Sequence, residues 1–510
     1  MAKFRPYNYN QTVMIPICLE NQIVEGTLEF AIHHLVDNSI DITPFYEKYQ
    51  NDDTGAPAFN PRIMLKVVLF GYSRGLLSSR KIEAACKENI IFIALACSQA
   101  PDHSTIAAFI SSMQDYILPI FRDILLVCDR ENLLGGTQFV IDGCKLPSNA
   151  SKQWSGTFAE LDHKREKLEE KLKQLLEKHQ QLDLQESGID IKSDKSKLNK
   201  RIQKLQSHIK SIQKWFDEHQ PKKGQTKKEL QSNFTDNDSA KMVTSHGVIQ
   251  GYNSQAIVDD KHQIIINAEA MGNGQDFDNL TPMIDGAKEN IKAIGYDENF
   301  FENKRILGDT NYHSETNLKK AKQEKLDAYI PDPYFRKRDP RFAAQDRYKP
   351  PKPKKKFSID DFQYDPQRDR FTCPNGIMVK LFARKSKING SYYKQYRTDN
   401  GACRDCPYAE KCLSPRTNKR KHLAIQIGKA PENLSRKMVE KIDSEQGRKI
   451  YDQRLAIIEP VFGNIREQKR MNRFTRRGKQ KVNTQWLLYC MVHNIEKVLN
   501  YGTTWAAKVA

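Results

Sequence analysis

The spacing of apolar positions changes character several times along the 510 residues. From 59 to 136 it is helical. Asn60 is a good N-cap and Pro61 a good first helical residue, and the apolar stretch from Ile63 to Tyr72 stops near Gly75. Ser78-Ser79 predicts a second helix start and Ser104-Thr105 a third. Residues 137–145 then form a β-type run. After it, Leu161, Leu168, Leu172, Leu175 and Leu182 make one stripe, and Leu198, Ile202, Leu205, Ile209, Ile212 and Phe216 another, spaced 4-3-4-3-4. Heptad spacing of this kind predicts a helical hairpin over 158–220 that buries its own seam, with a polar link around Gly188.

Beyond the hairpin, 221–240 is polar and predicts a loop. Tyr252–Val258 and Ile264–Ala268 predict strands, Asp276–Ile291 a helix and Arg305–Asp309 a strand. Ser314 caps a further helix, and Ala328–Ile330 is a short last strand. Without the hairpin, the order from 137 to 331 is β-β-β-α-β-α-β, with another helix far downstream. That order predicts an α/β fold with an RNase H-like catalytic core, a mixed five-stranded sheet with helices. The expected domains are an N-terminal all-helical domain (1–136), the first part of the core with its hairpin insertion (137–331), a small Cys-containing insertion (332–445) and a C-terminal segment (446–510). The second insertion begins with Lys349-Pro-Pro-Lys-Pro-Lys-Lys-Lys356, which suits an extended linker and also a phosphate contact.

A chain this long needs about two to four domains. It has no run of about 18 apolar residues and no apolar leader at its N-terminus, so the expectation is a cytoplasmic protein with no membrane segment. Its ten cysteines are too sparse for a disulfide scaffold. The net charge of +19 is unevenly placed. Residues 1–58 hold eight acids against three bases, whereas 466–481 hold eight bases against one acid. That asymmetry predicts a polyanionic partner bound at the C-terminal segment.

Two of the predicted strands end in carboxylates, Asp142 and Asp309, and the first and fourth strands of such a core are neighbours. A third acid, Glu459, lies on the downstream helix. Three hard oxygen donors of this kind suit two Mg²⁺ ions, with Mn²⁺ as a substitute, and metal-assisted phosphodiester chemistry. On a continuous helix Tyr451, Arg454, Glu459 and Arg466 fall within about 140° of arc. One face would then carry a carboxylate beside groups that grip a DNA backbone. Pro460 predicts a kink there, or a helix starting at that residue. Glu467 is the rival third acid. Lys469, Arg470, Arg473, Arg477 and Lys481 extend the basic face.

Cys373, Cys403, Cys406 and Cys412 suit a structural Zn²⁺ site, with a reduced-cysteine subdomain as the alternative and His422 as a substitute ligand. His33, His34 and His493 read as packing or surface residues, and Trp486 to Tyr489 as core of the last helix.

These residues resemble the DDE transposases of bacterial insertion sequences, in the RNase H-like group with a Tyr-Arg-Glu-Lys signature. The C-terminal likeness lies in Tyr451, Arg454, Glu459-Pro-Val-Phe-Gly463, Phe474-x2-Arg477-Gly478, Lys481-Val482, Trp486, His493-Asn494 and Lys497. Upstream, it lies in Phe59-Asn-Pro61, Gly71-Tyr72, Gly75, Ser78-Ser79-Arg80, Pro101-Asp-His-Ser-Thr105, Gly251-Tyr252-Asn253 and Asp309-Thr-Asn-Tyr312. The resemblance implies Mg²⁺-dependent cleavage of double-stranded DNA at terminal inverted repeats, then attack of the freed 3′-hydroxyl on target DNA. It also implies a homodimer on the DNA ends, acting on the bacterial nucleoid, with the N-terminal helices reading the ends. Asp142, Asp309 and Glu459 take the metal roles; Tyr451, Arg454 and Arg466 position DNA. Arg466 replaces the signature lysine, keeping the charge, and the Arg-to-Glu interval is one residue longer than in better-known members. A metal-dependent endonuclease without strand transfer, or a catalytically decayed DNA-binding relative, would use the same residues.

Overall fold

The structure is a computed structural model that describes residues 17–47, 57–183, 189–224, 228–245, 247–342, 344–345, 357–388, 391–413, 420–427 and 433–506. The Lys349–Lys356 run and the link around Gly188 lie outside the described residues. The chain forms two compact units, Met1–Phe300 with Leu455–Ala510, and Phe301–Arg454. These units cut the chain differently from the four segments expected from the sequence.

The first unit holds an antiparallel sheet of β1 (Gln138–Pro147), β2 (Ala240–Thr244), β3 (Gly247–Asp259) and β4 (Ile265–Met271). The long β3 is central. β1 pairs along one edge, with Asp142 opposite Ala256 and Gly143 opposite Gln255; β2 and β4 share the other edge. β2 falls in the stretch expected to be loop. Only Met242 of its five residues is buried, so it carries no alternating apolar signal.

The expected hairpin is formed by helices Phe158–Asp183 and Ile189–Glu218. Leu161, Ile202 and Ile212 are buried in its seam, and Trp215 packs against Phe158, Phe216 and His219 near its base.

The C-terminal helix Lys479–Tyr501 is buried almost all round, from Val482 through Trp486, Tyr489 and His493 to Val498. A helix of that kind must be covered on every side. β4 takes one side; the helices Leu28–Asn38, Pro61–Ser73 and Ile117–Arg130 take others. Tyr72 stacks on Tyr489 with centroids 4.7 Å apart. The N-terminal helices are therefore packed into the same unit as the sheet. Asn60 caps the helix at Pro61 as expected. At the third start the cap is Asp102, whose carboxylate accepts from the amides of Ser104 and Thr105.

The second unit begins with β5 (Arg305–Gly308) and β6 (Asp327–Tyr329), a parallel pair joined by the helix Glu315–Gln323, which Ser314 caps. The expected small insertion is a second sheet. β7 (Gln363–Asp365), β8 (Arg370–Thr372), β9 (Met378–Ile388), β10 (Ser391–Arg397) and β11 (His422–Gln426) lie in the order β11-β10-β9-β8-β7. Phe362, Phe371, Val379, Tyr396 and Leu423 form its small core. Among the described residues no helix is long and apolar enough to cross a membrane.

Candidate metal-binding and nucleic-acid-binding site

Asp142 lies within β1, its carboxylate accepting from the following Gly143 amide at 2.8 Å. Strand alternation puts Asp142 and Cys144 on one face and Gly143 on the other. The buried Cys144 thiol is pushed up to about 12, chiefly by burial; Arg466 pulls it down and Asp142 pushes it up. Asp142 and Arg466 thus act on one buried sulfur. On the opposite face, a Cβ at Gly143 would lie 2.1 Å from Gln255 Nε2 and 2.6 Å from Asn253 Oδ1. The amides of Asn253 and Gln255 both donate to Asp276 Oδ1, at 2.6 and 2.9 Å. This buried polar layer beside Asp142 was not foreseen. Its sequence signal is a glycine directly after the carboxylate and the polar run Asn253-Ser254-Gln255 in the middle of a buried strand.

The helix Glu445–Gly463 carries Tyr451, Arg454 and Glu459, and a π-helical turn, Asn464–Gln468, continues it with Arg466 and Glu467. Glu459 is exposed. Of the two expected outcomes, a helix start at Pro460 is excluded, since the helix runs through that residue. Proline has no N–H to give the carbonyl four residues back, that of Ala456. Gln263 Nε2 donates to that carbonyl instead, at 3.1 Å. Gln263 sits between β3 and β4 with φ +62°. Its Oε1 accepts from Lys497 Nζ, and its backbone carbonyl from His493 Nε2, both at 2.9 Å. Burial pushes His493 down to about 3, so the ring is neutral and serves packing, as expected.

In the second unit Asp309 follows β5 and caps the short turn Thr310–Tyr312. Its oxygens accept from the Asn311 backbone amide at 2.8 Å and from Asn311 Nδ2 at 3.0 Å. The Tyr451 hydroxyl is raised above its ordinary range, first by burial; Arg454 opposes this and Asp309 adds to it. The Arg454 guanidinium lies 5.9 Å from the Tyr451 ring centroid. Asp309 and Arg454 thus act on the Tyr451 hydroxyl in opposite senses.

The basic segment divides. Lys469, expected on the DNA face, is buried instead: its ammonium donates to Glu496 at 2.6 Å and also to Asn464. A sequestered, paired ammonium offers no charge to a phosphate. Arg470, Arg473, Arg477 and Lys481 are exposed. Asn149, just beyond β1, organises this loop. It accepts from Arg473 on its side-chain oxygen and from Arg477 on its carbonyl, and its own amide donates to the Thr475 carbonyl. The Phe474 amide donates to the Pro147 carbonyl, and the ring is buried against Tyr252.

Cys373, Cys403, Cys406 and Cys412 are free thiols of the second unit. The Ile377 amide donates to Cys373 Sγ at 3.2 Å. The Cys412 thiol is raised by burial; Lys421 opposes this, and Cys403, Cys373 and Cys406 add to it. His422 lies on β11 and is exposed. Among the described residues no group of three or more His, Cys, Asp or Glu side chains is arranged to hold a metal ion. The carboxylates of Asp142, Asp309 and Glu459 are nonetheless the donor type that Mg²⁺ takes.

Two family models match the chain. One, described as a transposase DDE domain, covers residues 372–499. The other, described as a transposase domain (DUF772), covers residues 17–112. No curated protein matches.

Proposed function

Because the two matches mark the chain as a DDE transposase of the insertion-sequence type, an enzyme that acts on DNA in transposition, we propose that Asp142, Asp309 and Glu459 are its metal-binding carboxylates. The reaction proposed is Mg²⁺-dependent cleavage at the ends of the element, followed by transfer of the freed 3′-hydroxyl into target DNA. One observation carries this reading: Tyr451, which feels the charge of Asp309, and Arg454 beside it lie on the helix that also carries Glu459. The antiparallel β1, β3 and β4 and the parallel β5 and β6 are the strand set of an RNase H-like core, which supports the same reading.

The metal ions, when bound, supply positive charge that lowers the pKa of an attacking hydroxyl and neutralises the leaving oxygen. The chain's own residues do the rest. Tyr451 and Arg454 orient a phosphate near Asp309, and Arg466 adds charge near Asp142. Arg473, Arg477 and Lys481 bind the flanking backbone. Mn²⁺ replaces Mg²⁺, and a homodimer holds the two ends in the bacterial cytoplasm. For the four cysteines the proposal is a structural Zn²⁺. Its support is the donor type, four thiols within one 40-residue stretch of the second unit, and the Ile377 amide that donates to Cys373 Sγ as it would to a thiolate ligand.

The test is end cleavage by the full-length protein, with Asp142→Asn, Asp309→Asn and Glu459→Gln alongside. Each variant is expected to bind ends and not cut them. Parental cleavage by any one removes that residue from the site, and cutting without joining would leave a nuclease.

A further inference from the structure

We propose that Gln263 is a positioning residue for Glu459, holding the signature helix in place through the one carbonyl that Pro460 leaves without a helical donor. The proposal rests on the reading of Glu459 as a metal ligand.

Three observations converge on this side chain. A residue with a Cβ is disfavoured at positive φ, and glycine or asparagine is the usual occupant. Gln263 holds that conformation in the turn between β3 and β4. Its two side-chain ends bind different helices: Nε2 donates to Ala456 of the signature helix, and Oε1 accepts from Lys497 of the C-terminal helix. Its backbone carbonyl is fixed by His493 on that same C-terminal helix. A turn chosen for backbone shape alone would need none of this. Ala456 lies just under one turn before Glu459, so the hydrogen bond acts on the backbone segment that sets where the carboxylate stands. Glu459 itself is exposed. The proline that would otherwise weaken the helix thus becomes the means of tying it to the sheet.

The experiment uses full-length protein and a duplex carrying the element's own terminal sequence. Gln263→Gly relaxes the turn and removes both side-chain bonds. Gln263→Glu keeps an acceptor for Lys497 and removes the donor to Ala456. Both are expected to lower the cleavage rate about tenfold or more, since small misplacements of a reacting group cost that much. They should also raise the Mg²⁺ concentration for half-maximal cleavage, while end binding stays within about twofold. Pro460→Ala returns a backbone donor to Ala456. In that background Gln263→Glu should cost less than about threefold, a coupling that a double-mutant cycle reads directly. Parental cleavage by Gln263→Gly, or an equal loss with and without Pro460, would overturn the proposal. Glu459→Gln is measured in parallel. If it is inactive while Gln263→Gly is fully active, only the positioning role fails. If Glu459→Gln cleaves normally, the reading of Glu459 fails and the proposal falls with it.

Discussion

The side-chain amide of Gln263 donates to the backbone carbonyl of Ala456, 193 positions away in sequence, at 3.1 Å. That bond explains how Pro460 sits inside a helix without ending it. An interior proline ordinarily costs a helix about 3 kcal/mol relative to alanine. Here the orphaned acceptor already has a donor, so Pro460→Ala should raise stability by no more than about 1 kcal/mol. Chemical denaturation of the two proteins reads the difference.

Lys469 and Arg477 look alike in the sequence and should behave oppositely. Lys469 is 1% exposed and ion-paired with Glu496. Lys469→Met should destabilise the protein on the order of 2 kcal/mol, below the roughly 3–5 kcal/mol of a fully buried pair because Glu496 keeps some water. It should leave the salt dependence of DNA binding unchanged. Arg477→Ala should leave the fold intact and reduce the slope of log K against log salt by about 0.9, one phosphate contact. Binding titrations between low and moderate salt separate the two.

His493 gives the fold a pH dependence of known sign. In the unfolded chain the ring protonates near its ordinary 6.5, whereas in the folded chain burial holds it down to about 3. Between those values unfolding takes up a proton. Stability is therefore full above about pH 6.5 and falls as the pH drops, by up to about 1.4 kcal/mol per unit. His493→Gln keeps a donor for the Gln263 carbonyl and removes the titration, so its Tm should fall less steeply from pH 7 to 4.5.

Gly143 is required by the polar layer beside Asp142. A methyl group there would lie 2.1 Å from Gln255 Nε2. Gly143→Ala should cost about 1–3 kcal/mol of stability, the range for overpacking. It should also reduce cleavage by the surviving folded protein, because the bonds from Asn253 and Gln255 to Asp276 must shift. Parental stability would show that the layer gives way freely.

What the sequence disclosed follows the range of the forces involved. The hairpin was legible because heptads repeat over many residues, and β1, β3, β4 and β5 because each carries a continuous apolar run. β2 and the second sheet were not, since strands with one wet face and short polar runs leave little pattern. Lys469 was misplaced because a run of bases looks uniform until Glu496, on another helix, selects one of them. The helix start offered at Pro460 failed for a related reason: the residue that supplies the missing donor lies in a turn far upstream. Asp309, Tyr451 and Arg454 were named from spacing and resemblance, while the burial of Tyr451 and Arg454 came only with the fold.

The most direct measurement is cleavage and joining on duplex DNA carrying the element's own ends. It is run in Mg²⁺, in EDTA and with Asp309→Asn. Strand breaks at the ends followed by joined products are expected in Mg²⁺ alone, with Asp309→Asn binding those ends and cutting none. Cleavage that persists in EDTA, or that Asp309→Asn performs at the parental rate, would contradict a metal-dependent site built on these carboxylates.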